Sequence, residues 1–132
     1  MRQVQRLRET DVLRIGVLPA DIVGLWTEHV ADNQEIVLTG KQRAHYLERH
    51  PEMVGWEEFL AETVLDPDRA HRNRRDLQIA LFYRQVEGGH YLRATVVIQP
   101  TPSEFKHSII TYRVARRGEV KQNHHREVWR KR

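Results

Sequence analysis

The chain has 132 residues, a length that suits one domain around one core. Apolar residues make up 39% and charged residues 30%, the balance of a soluble globular protein, and no apolar run reaches the ~18–20 residues that a membrane span requires. There is no cysteine, which excludes disulfides, thiolate metal sites and cysteine nucleophiles; no apolar leader follows Met1, so a cytoplasmic location without a membrane partner is expected.

In chain order, residues 2–14 form a weak helix candidate. Val4, Leu7 and Val12 are loosely spaced at helical intervals, and Gly16 and Pro19 close the segment. Residues 21–30 fit either a strand broken by Gly24 or a short helix opened by Asp21. Residues 31–33 signal a turn, and Ile36, Val37 and Leu38 a short strand. Thr39, Gly40, Lys41 and Gln42 then fit a capping box, in which the Thr39 hydroxyl accepts from an orphan N–H and Gln42 reaches back. This helix is expected to run to about His50 and to stop at Pro51. A second helix is expected over 54–65. Trp56, Phe59, Leu60, Thr63 and Val64 share one face, Glu57, Glu58 and Glu62 face out, and Asp66-Pro67-Asp68 ends it.

The remainder alternates with period two. Leu77, Ile79, Leu81 and Tyr83 share one strand face, and Gln78, Ala80, Phe82 and Arg84 the other. Glu87-Gly88-Gly89-His90 reads as a hairpin connection to a return strand over 91–99. A loop at 100–105 leads to a third strand over 107–114. Strict alternation there puts His107, Ile109, Thr111 and Arg113 on one side, a side that Arg93 and Thr95 of the preceding strand can share. The expected fold class is α+β, with two central helices packed on a small antiparallel β-sheet, a meander. An N-terminal helical or irregular extension (1–35) precedes the central domain (36–114), and a basic C-terminal tail (115–132) follows, helical or disordered at its end, all within one compact unit.

Charge is uneven. Residues 113–132 hold eight Arg and Lys against Glu119 and Glu127, so this stretch is +6 in a chain whose total is +4. Such a tail can hold a polyanion by counterion release without sequence preference, and the same composition suits a solvated tail that only aids solubility.

The densest chemistry lies in residues 39–51, where Arg43, His45, Arg49 and His50 fall within two and a half turns. His45 and Arg49 are i,i+4 neighbours on one helical face. Histidine moves protons near neutrality, and arginine grips a phosphorane with a bidentate fork. In RNA the substrate's own 2′-OH is the nucleophile, so neither a metal nor a protein nucleophile is needed. Exposed helices also carry Arg and His with no such purpose, and His50 before Pro51 equally suits a helix C-terminus. Eight histidines raise the question of a metal, but His45 and His50 are five residues apart, which splays their rings, and no paired carboxylates accompany them; no metal or other cofactor is expected.

The run from Thr39 to Glu52, with its R-x-H-x-x-x-R-H-P-E core, resembles the opening of phage- and mobile-element-borne members of the barnase, EndoU, colicin and RelE ribonuclease superfamily. The Leu65-Asp66-Pro67-Asp68 turn, the Phe82-Tyr83-Arg84 and Val96-Val97-Ile98 strands and the last strand Ile109-Ile110-Thr111-Tyr112-Arg113 follow in the same order, over about residues 36–114. The resemblance implies two helices on a small antiparallel sheet, RNA bound across the sheet face and metal-independent ribonuclease or toxin activity; tRNA is among the candidate substrates, and an antitoxin or immunity protein is a candidate partner. The resemblance points to His45 and His50 in the first helix and to Thr111 and Arg113 in the last strand; the mechanism expected from these residues has His45 or His50 moving protons, Arg49 and Arg113 offsetting the charge of the phosphorane, and Thr111 positioning a phosphate oxygen. Lys41, Arg43, Tyr83, Arg84, His107, Arg116 and Arg117 are the candidate nucleic-acid contacts. Two rival readings stay open: a nucleic-acid-binding module that does not cut, and an inactive protein that keeps the fold for protein contacts.

Overall fold

The computed structural model describes residues 2–30, 33–100 and 106–132. The turn expected at 31–33 and the loop expected at 100–105 lie outside these residues, apart from Asn33 and Pro100. The fold is α+β, but the expected small meander is replaced by a seven-stranded mixed sheet. The elements are α1 (Arg2–Gln5), β1 (Val12–Val17), α2 (Ala20–Val23), β2 (Glu35–Thr39), α3 (Gly40–Arg49), a 3₁₀ segment (Pro51–Phe59), α4 (Leu60–Leu65), β3 (Arg69–Arg72), β4 (Ile79–Gln85), β5 (Tyr91–Val97), β6 (His107–Val114), α5 (Glu119–Gln122) and β7 (Glu127–Arg130). The strand order is β1-β2-β6-β5-β4-β3-β7. No helix among the described residues is long and apolar enough to cross a membrane.

Both terminal stretches are built into the sheet. Residues 12–17 form no helix; they pair antiparallel with β2 as one edge strand. The C-terminal stretch is no loose tail: β7 pairs antiparallel with β3 and forms the other edge. Strand pairing between segments this far apart is set by tertiary contacts, which a local pattern does not report.

Thr39 and Gly40 make the transition that matters most for the site. Thr39 is extended (φ −85°, ψ 150°) and its hydroxyl accepts the Gln42 N–H at 3.1 Å, capping α3. Gly40 is required by a close approach: a Cβ there would lie 1.7 Å from the carbonyl oxygen of Arg8. β2 runs parallel to β6, with Ile36 opposite His107 and Val37 opposite Ser108. The chain leaving β2 at Thr39 therefore continues along the edge of β6 as α3.

The expected second helix is two pieces. Pro51 starts a 3₁₀ segment, and its three-residue turn stacks Met53, Trp56 and Phe59 toward the core. Only from Leu60 does α geometry take over, with Leu60 and Val64 buried. The tighter winding also turns Glu57 inward: it is fully buried, not solvent-facing. Arg43 reaches it with two hydrogen bonds, at 2.8 and 2.7 Å, and the Tyr46 hydroxyl donates a third. This buried cluster fastens α3 to the 3₁₀ segment.

The hairpin between β4 and β5 turns on Gly88 (φ 85°) and Gly89 (φ 81°), where a side chain would be strained. Between β5 and β6 the register slips: Thr95 faces Thr111 while Val96 faces Ile109, which leaves Ile110 as an extra residue. The bulge reverses the expected alternation. Ile109 and Tyr112, three residues apart, both join the main core beneath the helices, so His107 and Ile109 do not share a face with Thr111 and Arg113. On the opposite sheet face, Leu81, Tyr83 and Val120 form a smaller cluster under the C-terminal segment.

Candidate functional site

β6 outlasts β2. Beyond the paired Val37 and Ser108 its edge is flanked by α3 in place of a strand, and a groove of about 670 Å³ opens there. The α3 side supplies Gln42, His45 and Arg49, spaced i, i+3 and i+7 on one helical face, and then His50. The β6 side supplies the bulged Ile110, then Thr111, Arg113 and Val114, with Arg93 from β5 and Arg116 beyond the strand. Two short stretches about sixty residues apart thus line one cleft: His45, Arg49 and His50 with Thr111 and Arg113.

The groove is cationic. His45, Arg49 and Arg116 are exposed, and the side chains of Arg49 and Arg116 have no anionic partner among the described residues. His50 is half-buried, with Nδ1 3.8 Å from a Glu52 carboxylate oxygen. Its backbone N–H closes α3 by donating to the Tyr46 carbonyl.

Arg93 and Arg113 sit directly opposite each other in the β5–β6 ladder. Like charges so placed repel. Glu119, at the start of α5, resolves the conflict. One carboxylate oxygen accepts from Arg113 Nη2 at 2.7 Å and from the Arg116 N–H at 3.2 Å. The other accepts from the Tyr83 hydroxyl at 2.6 Å and from Arg93 Nη1 at 3.2 Å. Burial would push the Glu119 carboxyl up, but the hydrogen bonds from Tyr83 and Arg113 and the charges of Arg93 and Arg113 outweigh it and hold it at about 2. Arg93 and Arg113 are thereby fixed at the groove wall with part of each guanidinium unspent. Glu119 was hidden in sequence because it lies inside a stretch whose dominant signal is positive charge.

Several expected nucleic-acid contacts are employed elsewhere. Arg43 is committed to the buried Glu57 and does not line the groove. Tyr83 is buried, and its hydroxyl supports Glu119 in place of offering a stacking ring. Arg84 pairs with Glu62 at 3.4 Å and Asp66 at 3.0 Å, at the end of α4. His107 is fully buried: its Nδ1 accepts the Gln99 N–H at 2.9 Å, so its proton is on Nε2, which donates to Gln34 Oε1 at 2.7 Å. Burial pushes its pKa down to about 4, a structural histidine. Lys41 is exposed in a smaller depression beside the groove, shared with Glu9 and Glu48. Arg117 is exposed outside the groove and lines a neighbouring pocket, whereas Arg116 lines both. No group of three or more His, Asp or Glu among the described residues is placed to hold a metal ion.

Comparison with protein-family models, with curated proteins and with solved structures returns no match.

Proposed function

We propose that the groove beside β6 binds a phosphodiester of RNA and that the protein is a metal-independent endoribonuclease of toxin type. The observation that carries the reading is the meeting of two imidazoles, a hydroxyl and several guanidinium groups in one open cleft. His45 and His50 share the proton transfers: one takes the proton from the 2′-OH as its oxygen attacks phosphorus, and the other gives a proton to the departing 5′-oxygen. The products are a 2′,3′-cyclic phosphate and a 5′-hydroxyl. Arg49 and Arg113 offset the charge that builds on the phosphorane, and Thr111 orients a non-bridging oxygen.

The test is cleavage of tRNA and of a generic single-stranded RNA in EDTA. Wild type is expected to cut both substrates, and His45→Ala and His50→Ala each to lose roughly 10²–10⁴-fold in rate. A second reading, a binding module that does not cut, draws support from Glu119, which already satisfies part of Arg93 and Arg113. It takes first place if no product forms, whereas equal cutting by all three proteins removes the roles given to His45 and His50.

A further inference from the structure

A second pocket, of about 680 Å³, adjoins the groove and shares Val114 and Arg116 with it. Its lining differs in kind. Tyr91, Val114, Ala115 and Val120 contribute half-buried and buried apolar surface, and the exposed His90, Arg116, Arg117 and Lys121 line it as well. We propose that this pocket seats the unstacked base of a nucleotide flanking the phosphate held in the groove, so that the site takes single-stranded RNA and discriminates by base. The proposal rests on the RNA-binding reading of the groove.

Continuity argues for this occupant. A strand whose phosphate lies between Arg49 and Arg113 meets the second pocket directly past the shared wall. Polar and cationic surface gives way there to apolar surface, as phosphate gives way to base along a nucleotide. An aromatic or apolar wall with a few cations at its margin is what a splayed-out base needs, and a base paired in a duplex cannot enter it. Glu119 also borders the pocket, but both its oxygens are engaged by Tyr83, Arg93, Arg113 and the Arg116 N–H, so it is no free acceptor for a base edge. The hairpin glycines on the far wall carry no side chain and leave room for a ring.

The test uses 2′-O-methyl hexanucleotides, which lack the nucleophile and report binding whether or not the protein cuts. Fluorescence anisotropy compares adenine, cytosine and uracil hexamers with an abasic hexamer, for wild type and for Ala115→Leu, which narrows the pocket. Wild type is expected to bind at least one base-bearing hexamer roughly ten-fold or more tightly than the abasic one, the scale of a base stacked on protein. Ala115→Leu is expected to remove that margin and leave abasic binding unchanged, which also shows that the variant is folded. Equal affinity of wild type for base-bearing and abasic hexamers overturns the base subsite while leaving the phosphate groove intact. Equal loss on both ligands in Ala115→Leu also overturns the subsite. Absence of all binding by wild type at low salt overturns the groove reading itself.

Discussion

Replacing Glu119 with glutamine removes one negative charge and turns one oxygen that accepts hydrogen bonds into a donor. Tyr83, Arg93, Arg113 and the Arg116 N–H all converge on that carboxylate, so the change is felt on three strands at once. The magnitude follows from its titration. The carboxyl is held at about 2, against an ordinary 4.5, and 2.5 units correspond to about 3 kcal/mol. Because the folded-state value lies below the unfolded one, this stability is present above about pH 4.5 and is lost as pH falls through about 2. Glu119→Gln is therefore expected to be about 3 kcal/mol less stable than wild type at pH 7, with the gap closing as pH falls from about 5 to 2. Urea unfolding at a series of pH values, followed by tryptophan fluorescence, measures this directly. Equal stability at pH 7, or a gap that stays constant down to pH 2, would refute the claim that the carboxylate is held by these four donors. The substitution also leaves Arg93 and Arg113 facing each other without a counter-ion, so binding of single-stranded RNA should become steeper in salt, by about 0.7 in logarithmic slope for one more phosphate engaged.

Arg43 and Arg49, six residues apart on α3, should separate cleanly. Arg43→Ala leaves the buried Glu57 without its ion-pair partner and is expected to lower unfolding free energy by about 3 kcal/mol in urea titrations. Arg49→Ala is expected to change stability by less than about 0.5 kcal/mol and to weaken RNA binding with a shallower salt slope. His107 is neutral in the fold, with its pKa at about 4 against an ordinary 6.5, so its contribution is present above about pH 6.5 and is lost as pH falls through about 4. Wild type is thus expected to lose stability over that window more steeply than His107→Asn, and nitrogen-15 spectra of the imidazole should show the proton on Nε2 and no titration above about pH 5.

The part of the candidate site legible in the sequence was the part encoded locally. A threonine before a glycine and a run of polar helix formers is enough to start α3, and helical spacing is enough to put His45 and Arg49 on one face. The paired glycines were enough to locate the β4–β5 hairpin, and period-two spacing enough to align Thr111 with Arg113. What lay beyond local pattern was pairing. Whether an arginine is free for a ligand depends on a carboxylate contributed by another element: Glu57, near the end of the 3₁₀ segment, claims Arg43 from fourteen residues away, and Glu119 claims Arg93 from twenty-six. One extra residue at Ile110 moved His107 out of the face it would share with Thr111 under strict alternation. The two edge strands were invisible for the same reason. β1 and β7 are held by hydrogen bonds to strands distant in the chain, and backbone hydrogen bonding carries no side-chain signature until the partner strand is in place.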